Sequence, residues 1–390
     1  MSAIAGVDLG ARTVKVAADG GGVRALAAPA GGPSGALRAA LSAVGGRGVI
    51  CVAVPDNWLS GAAADAAVQE KVRHECAEQL RYAQVLWAGQ LAAAAAYAAA
   101  ARGPGRYLVC DIGATGIRAG VFSVSAGAVR VEAVHAEAGG GWRAFDGEVR
   151  AGLPQSPPLP ATWSEQAANR DQHQAATVLD AALGGTESEL ATTVYRIPGP
   201  GGDIDLTAGM LIEGFAPTWE RLEAAIATVR GTVPSDYVVL SGGLSWLPLA
   251  ARAAGSAAGA APLVAGPEAA ARGALLFARG DAALVPPGER ASVAVPVTRV
   301  RDGLLEEVSV PLSWTEPFAA FPGGPLILDR EELLVSVAGL AKVARLRGLV
   351  PGPHLIGARP TWPGPGVLVI RPVVGDAPVH VIPLSELTAR

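Results

Sequence analysis

The stretch GVDLGARTVKVA, residues 6–17, joins two strand-like runs through a glycine turn. The first run ends near Asp8 and the second contains Lys15, so a carboxylate and an ammonium group flank the turn at Gly10. An Asp-x-Gly sequence often does no more than mark a hairpin. A carboxylate and a cation beside one turn also suit an ionic ligand, so the stretch alone leaves both interpretations open.

A second stretch, CDIGATGIRAG at residues 110–120, repeats this pattern. Acid aligns with acid, small residue with small residue and cation with cation: Asp8 with Asp111, Gly10 with Gly113, Ala11 with Ala114, and Lys15 with Arg118. Both copies lie in a strand–turn–strand context. The repeat therefore predicts two related halves that face a shared cleft.

A third glycine turn occurs in DYVVLSGGLSWLP, residues 236–248. The apolar run Val238–Leu240 leads directly into Gly242 and Gly243, and a helix-like segment follows. Glycines leave no side chain to block a close approach, so a flat ligand could lie against this backbone.

Alternating strand-like and helix-like segments predict an α/β protein. Strands are predicted at 3–8, 13–18, 48–54, 106–111, 116–124, 192–197 and 203–210. Helices are predicted at 62–85, 90–101 and 164–183, and from a start at Pro217 and Thr218 to residue 230. After a linker at LVPPGER, hairpins are predicted for 291–300 with 304–311 and for 366–374 with 379–384, with a helix at 330–347. These patterns divide the chain into a domain at 1–282, with halves 1–104 and 105–282, and a β-rich domain at 288–390.

Composition excludes several classes of protein. The chain has 390 residues, a net charge of −4 and a hydrophobic fraction of 50%, so it lacks the basic surface typical of nucleic-acid binding. Its longest apolar run, residues 91–101, is too short to span a bilayer. Three widely spaced cysteines, Cys51, Cys76 and Cys110, predict buried free thiols in a reducing cytoplasm.

The repeated residues suit a particular ionic ligand. Mg²⁺ prefers oxygen ligands and often binds through one or two carboxylates and substrate phosphates, which fits Asp8 and Asp111. Glycine turns expose backbone N–H groups to anions, and Lys15 adds a positive charge. The chain contains neither a P-loop motif nor a dinucleotide-binding glycine motif in the required context. The pattern therefore predicts a Mg–nucleotide complex held between the two halves.

Seven segments, taken in order, resemble motifs of the actin-like ATPase superfamily, and most closely the nucleotide-binding domain of DnaK-type heat-shock chaperones. GVDLGARTVKVA resembles the first phosphate loop, YLVCDIGATG the second, and VVLSGGLSWLP the adenosine motif. VICVAVPDNW resembles a Val-Pro strand end that precedes a long helix, and GQLAAAAAYAAA resembles the connecting helix. GGGWRAFDGEV resembles a loop and helix start, and GPEAAARGALLFA resembles the closing helix. The resemblance covers residues 3–282. It implies a duplicated, ribonuclease H-like fold with two lobes around a nucleotide cleft. The shortened segments of this chain predict reduced upper subdomains, and the strand pattern after residue 288 predicts the additional C-terminal β-rich domain.

The resemblance also implies roles for individual residues, with ATP or ADP and Mg²⁺ as cofactors. The implied catalytic residues are Asp8, Gln90 and Asp111, with Gln90 positioning water and the two aspartates holding Mg²⁺ through water. The implied nucleotide-binding residues are Gly10, Ala11, Arg12, Thr13, Lys15, Gly113, Ala114, Thr115, Gly242, Gly243 and Ser245.

The chain departs from the family pattern at several of these positions. Ala11 lacks the hydroxyl group that usually contacts phosphate, and Arg118 occupies a position that is acidic in the chaperones. The segment before VICVAVP is too short to contain the insert that carries the chaperones' catalytic lysine. No segment matches the helix that clamps adenosine, and the small subdomain at 151–235 is shortened.

Two functions follow from this mixture of matches and departures. The first is a slow ATPase, or a nucleotide-dependent switch, that controls a protein partner through the C-terminal domain. The second is a scaffold or assembly subunit with a degenerate pocket, in which the guanidinium of Arg118 fills the space of the metal or phosphate. Self-association is compatible with both, whereas sugar-kinase chemistry is the least favoured because no substrate-binding insert is visible.

Overall fold

The computed structural model describes residues 3–27, 35, 38, 40, 42, 48–56, 84–153, 158–231, 233–285, 292–313, 318–359, 366–373 and 380–389. The first of two compact units contains the described residues of 3–54 and 84–285, and the second contains residues 55 and 56 and the described residues of 292–389. Most of the predicted helix at 62–85, Cys76 and most of the predicted linker lie outside the described residues. Within the described parts of the chain, no helix is both long and apolar enough to cross a membrane.

The first unit is an α/β structure. Its strands are β1 Ala3–Leu9, β2 Thr13–Ala18, β3 Val23–Ala27, β4 Gly48–Val54, β5 Gln84–Gly89, β6 Gly105–Ile112, β7 Gly116–Ser125, β8 Ala128–Ala138, β9 Thr193–Gly199, β10 Gly202–Thr207, β11 Tyr237–Ser241, β12 Leu263–Gly266 and β13 Ala283–Val285. Its described helices are α1 Gln90–Arg102, α2 Gly141–Ala151, α3 Trp163–Ala168, α4 Gln172–Ala182, α5 Glu187–Leu190, α6 Ala208–Arg230, α7 Pro248–Ala258 and α8 Ala269–Arg279.

Two sheets of the first unit share one strand order. The first sheet runs β3-β2-β1-β4-β5, and the second runs β8-β7-β6-β11-β12 with β13 added beside β8. In each sheet the first three strands are antiparallel, and the last three run parallel to one another. The repeated sequence therefore starts the same five-strand arrangement twice, with β1 and β6 in equivalent central positions.

Helices α1 and α8 lie between the two sheets. One apolar core combines Cys51 and Ala53 of the first sheet with Tyr107 and Val109 of the second, together with the buried faces of both helices. A second core covers the opposite face of the second sheet, where α2, α4, α6 and α7 pack against the alternate side chains of β6 and β7. This alternation follows from the two-residue period of a strand.

Small residues permit very close packing around α8. An alanine Cβ placed on Gly273 of α8 would lie 1.7 Å from the carbonyl oxygen of Ala93 in α1. A Cβ placed on Gly6 of β1 would lie 2.2 Å from the amide nitrogen of Leu275 in α8. The backbone of α8 therefore rests directly on the backbones of α1 and β1, and these contacts hold the halves together.

The two described cysteines are free and buried, as the sequence predicts. Burial raises the pKa of the Cys51 thiol far above its usual range, and burial together with the charge of Asp111 raises the pKa of Cys110 to about 12. Both groups are therefore protonated thiols at neutral pH and act as small core residues.

Helix α6 begins at Ala208 and not at Pro217, so the predicted start is wrong. Thr207 caps the helix, because its hydroxyl oxygen accepts a hydrogen bond of 3.4 Å from the amide of Met210. Pro217 lies inside the helix, where it removes one backbone hydrogen bond. Burial of Leu211, Phe215 and Leu222 in the core offsets that loss.

Other boundaries of the first unit also differ from the predictions. The predicted helix at 164–183 is two helices, α3 and α4, and Asp171 caps the second by accepting hydrogen bonds from two backbone amides. Residues 84–85, predicted as a helix end, belong to β5. The sequence analysis does not predict strands β3, β5, β8, β12 and β13.

The second unit is β-rich, with two sheets around one core. Its strands are β14 Val293–Arg301, β15 Leu304–Pro311, β16 Leu326–Leu328, β17 Glu332–Val337, β18 Leu340–Arg345, β19 Gly352–Arg359, β20 Val367–Pro372, β21 His380–Pro383 and β22 Thr388–Ala389. The sheets run β15-β14-β17-β18-β22 and β16-β19-β20-β21. Val335 of one sheet and Ile356 and Leu368 of the other belong to the shared core.

Both predicted hairpins of this unit form. Strands β14 and β15 pair around Asp302 and Gly303, whose φ angles of 49° and 79° suit a tight two-residue turn. Strands β20 and β21 also pair, although the residues that connect them lie outside the described part of the chain.

The helix predicted at 330–347 is wrong, because this segment is the hairpin of β17 and β18. The chain reverses at Ala338 and Gly339, with φ angles of 51° and 79°. Leu333 and Val335 alternate into the core. Leucine and alanine raise the intrinsic helix propensity of the segment, but cross-strand pairing and burial override it.

Candidate functional site

The repeated motif places each acid directly opposite its cation. Asp8 faces Lys15 across β1 and β2, and Asp111 faces Arg118 across β6 and β7. Lys15 Nζ lies 3.2 Å from Asp8 Oδ2, and Arg118 Nη2 lies 2.6 Å from Asp111 Oδ2. Each hairpin therefore carries one cross-strand ion pair beside its turn.

Gln90 connects the two ion pairs. It is the first residue of α1, and its side-chain Nε2 donates a hydrogen bond of 2.5 Å to Asp8 Oδ1. Its Oε1 accepts a hydrogen bond from Nη1 of Arg118. Five side chains thus form a continuous polar chain between the two hairpins, at the place of the predicted cleft, which we call the cleft network: Lys15, Asp8, Gln90, Arg118 and Asp111.

The cleft network is largely buried, and its formal charges sum to zero. Asp8, Gln90 and Asp111 are 4%, 5% and 8% exposed. Two carboxylates and two cations cancel in formal charge, and short hydrogen bonds compensate the loss of water around each ion. Removing one member would leave its partner charged in a poorly solvated position.

The second turn is held by the start of α2. The carbonyl oxygens of Gly113, Ala114 and Thr115 accept hydrogen bonds of 2.9, 3.0 and 3.1 Å from the amides of Trp142, Arg143 and Gly139. Gly141 has a φ of 68°, and a Cβ there would lie 2.5 Å from the Gly113 carbonyl oxygen. The run of glycines before Trp142 therefore lets α2 approach the turn.

The third turn packs directly against the second. Gly242 has a φ of 94°, and a Cβ there would lie 2.5 Å from the Ile112 carbonyl oxygen and 2.7 Å from Asp111 Oδ1. The hydroxyl of Ser245 donates a hydrogen bond of 2.8 Å to the Gly242 carbonyl oxygen and is buried. Ser245 thus stabilises the turn itself. Gly243, in contrast, faces open space, with no atom within 4 Å of the position of a Cβ.

One side chain of the first turn, that of Arg12, contacts residues beyond its own hairpin. Gly10 allows a tight bend, because a Cβ there would lie 2.4 Å from the carbonyl oxygen of Thr13. Arg12 leaves this turn and forms an ion pair of 2.9 Å with Glu165 of α3. Its guanidinium carbon also lies 5.0 Å from the ring centre of Trp142. Sequence reasoning missed Glu165, since nothing in its neighbourhood distinguishes it from other surface acids.

Two acids of the family-like segments, Asp146 in GGGWRAFDGEV and Glu268 in GPEAAARGALLFA, have local structural roles. Asp146 accepts hydrogen bonds of 2.6 Å from Nε1 of Trp163 and 2.9 Å from Nε of Arg150, which fixes α3 against α2. Glu268 forms an ion pair of 2.7 Å with Arg272, one turn further along α8. Both acids are therefore used within the protein and lie outside the cleft network.

The donor groups around the two aspartates do not fit the Mg²⁺ ion that the resemblance implies. Lys15 and Gln90 occupy the two carboxylate oxygens of Asp8, and Arg118 occupies Oδ2 of Asp111. Oδ1 of Asp111 lies against Gly242. Among the described residues, no group of three or more histidine, cysteine or acidic side chains forms a metal site. A cation would have to displace Lys15 or Gln90 to reach the oxygens of Asp8, and Arg118 to reach Oδ2 of Asp111.

The fold and site define an α/β protein in which two hairpins of the same strand pattern are joined by one network of ion pairs and hydrogen bonds. No protein-family model matches the chain, and no curated protein sequence is significantly similar to it. The resemblance to actin-like ATPases therefore rests on the motifs of the chain itself.

Proposed function

We propose that the first unit is an actin-like domain of the ribonuclease H-like type. The support is the shared strand order of its two sheets, with an acid at the end of each central strand and a glycine turn after it. Helices that follow the fifth strand of each sheet pack together between the sheets. The cleft of such a domain lies where Asp8, Asp111 and Gly242 converge.

This domain acts as a scaffold for a protein partner in the cytoplasm and does not turn over ATP. One observation carries this proposal: Arg118 binds both Asp111 and Gln90, which are the residues that would place the metal and the attacking water. A guanidinium is always charged at neutral pH and forms strong hydrogen bonds to a carboxylate. It therefore supplies a positive charge at the position of a cofactor cation without any bound metal.

Gln90 supports the same conclusion. Both ends of its amide bind protein side chains, so it is held as a bridge between the halves. A water-positioning glutamine needs its amide directed at the water. The described contacts instead use Gln90 to connect the two ion pairs.

A nucleotide-dependent switch is the second candidate. The open space beside Gly243 favours it, because a flat base or ribose could approach the backbone there without a steric block. Lys15 and Arg118 would then bind phosphate oxygens after releasing their carboxylates. ATP or ADP with Mg²⁺ would be the ligand, and self-association would be one way to transmit the change.

Isothermal titration distinguishes the two candidates. We expect no saturable binding of ATP or ADP at micromolar concentrations, with or without Mg²⁺, and no phosphate release above the protein-free rate. The physical reason is that binding would first have to break the cleft network, whose charges are already paired.

The variant Asp8→Asn provides the control for specificity. Saturable Mg²⁺-dependent binding by the wild-type chain that is lost in Asp8→Asn would overturn the scaffold proposal and establish the switch. Binding that persists in the variant would place the ligand elsewhere on the protein and leave the cleft without a nucleotide role.

A further inference from the structure

We infer that Arg12 is a latch that holds the cleft closed without any ligand. Its side chain extends from the first turn of one half to Glu165 and Trp142 of the other half. We call these three residues the latch. It is separate from the cleft network, and the inference holds for either candidate function.

The latch controls access to the cleft network because of its position. Arg12 belongs to the turn that directly follows Asp8 along the chain, and Trp142 donates its amide to Gly113 in the turn that follows Asp111. The latch therefore joins the elements that border the cleft network on both sides. Opening the cleft requires Arg12 to leave Glu165 and Trp142.

The second half offers a rigid surface to Arg12. Trp142 is 8% exposed and packs against Trp163 and Phe145, with ring centres 5.1 and 6.1 Å apart. Trp163 is fully buried, and it starts the helix that carries Glu165. When the latch opens, only the guanidinium of Arg12 has to move. Trp142 and Trp163 stay in place, because their rings are part of the core.

The latch is weak enough to open reversibly. The side chains of Arg12 and Glu165 are 38% and 57% exposed, so their ion pair is screened by solvent. The contact of Arg12 with the face of Trp142 adds a cation–π interaction. Together, interactions of this kind change an opening equilibrium by roughly 3- to 30-fold.

Hydrogen exchange measured by mass spectrometry tests the latch in the full chain without nucleotide. The reporter is the first turn of α1, residues 90–93, which is buried beside the cleft network. We expect Arg12→Ala to accelerate exchange there by roughly 3- to 30-fold. The charge-swapped pair, Arg12→Glu with Glu165→Arg, should slow exchange again in part, because it restores the ion pair but leaves a carboxylate at position 12 that makes no cation–π contact with Trp142.

Arg196→Ala is the matched control, since it breaks an exposed ion pair of 2.7 Å with Asp205 inside the second half. It should leave exchange at 90–93 unchanged. Unchanged exchange in Arg12→Ala would overturn the latch. Equal acceleration across the whole chain would also overturn it, because that result indicates general destabilisation. Hydrogen exchange is measured without ATP, so failure of the latch is distinguishable from failure of the proposed function.

Discussion

Gly273→Ala is expected to destabilise the first unit by about 3 kcal/mol or more, in the upper range for overpacking a core. The added methyl carbon would lie 1.7 Å from the Ala93 carbonyl oxygen, 2.4 Å from its carbonyl carbon and 2.9 Å from its Cα. All three are backbone atoms of α1, so no side-chain rotation relieves the contact. The helices must separate instead, and this loosens the core that α1 and α8 share with both sheets. Chemical denaturation followed by tryptophan fluorescence measures the change.

Gly147→Ala is the matched control for this substitution. Gly147 is also inside a helix, and an added Cβ there would have no atom within 4 Å. Replacing glycine with alanine in such a position typically stabilises a helix by about 1 kcal/mol. Similar stability of the two variants would contradict the backbone contact between α1 and α8.

Arg118→Ala is expected to cost about 3 kcal/mol of unfolding free energy, because it removes one partner of a mostly buried ion pair. The side chains of Arg118 and Asp111 are 17% and 11% exposed. Without the guanidinium, the Asp111 carboxylate keeps its charge beside the Gly242 backbone, and Oε1 of Gln90 loses a donor. Urea denaturation at neutral pH measures the loss.

A double-mutant cycle of Arg118→Ala, Asp111→Asn and the two combined separates this charge effect from lost packing. Adding Asp111→Asn to Arg118→Ala removes the uncompensated charge and should recover about 2 kcal/mol. Arg252→Ala is the control, because its ion pair with Asp180 is 55% and 51% exposed and should contribute less than about 1 kcal/mol. Equal losses for Arg118→Ala and Arg252→Ala would show that the cleft network is well solvated.

Much of the local structure could be predicted from short stretches of sequence. Two apolar runs around a glycine turn predict the hairpin of β1 and β2. The same features predict the hairpin of β6 and β7. A tight turn also sets the register, which is why Asp8 faces Lys15. Local propensity failed where distant contacts decided the outcome, as in the hairpin of β17 and β18 and at Pro217.

The sequence by itself determined which residues could meet within each hairpin: the acid, the cation and the turn between them. Only the tertiary structure decided which distant residues the two hairpins contact. Gln90 is 28 residues from Arg118, and Arg12 is 153 residues from Glu165. Such pairs form because α1 and α8 bring the two sheets together through backbone contacts at Gly273, a packing geometry that no local pattern encodes. That geometry brings the guanidinium of Arg118, already paired with Asp111 in its own hairpin, onto Gln90, where the motifs and the resemblance predicted Mg²⁺ and water.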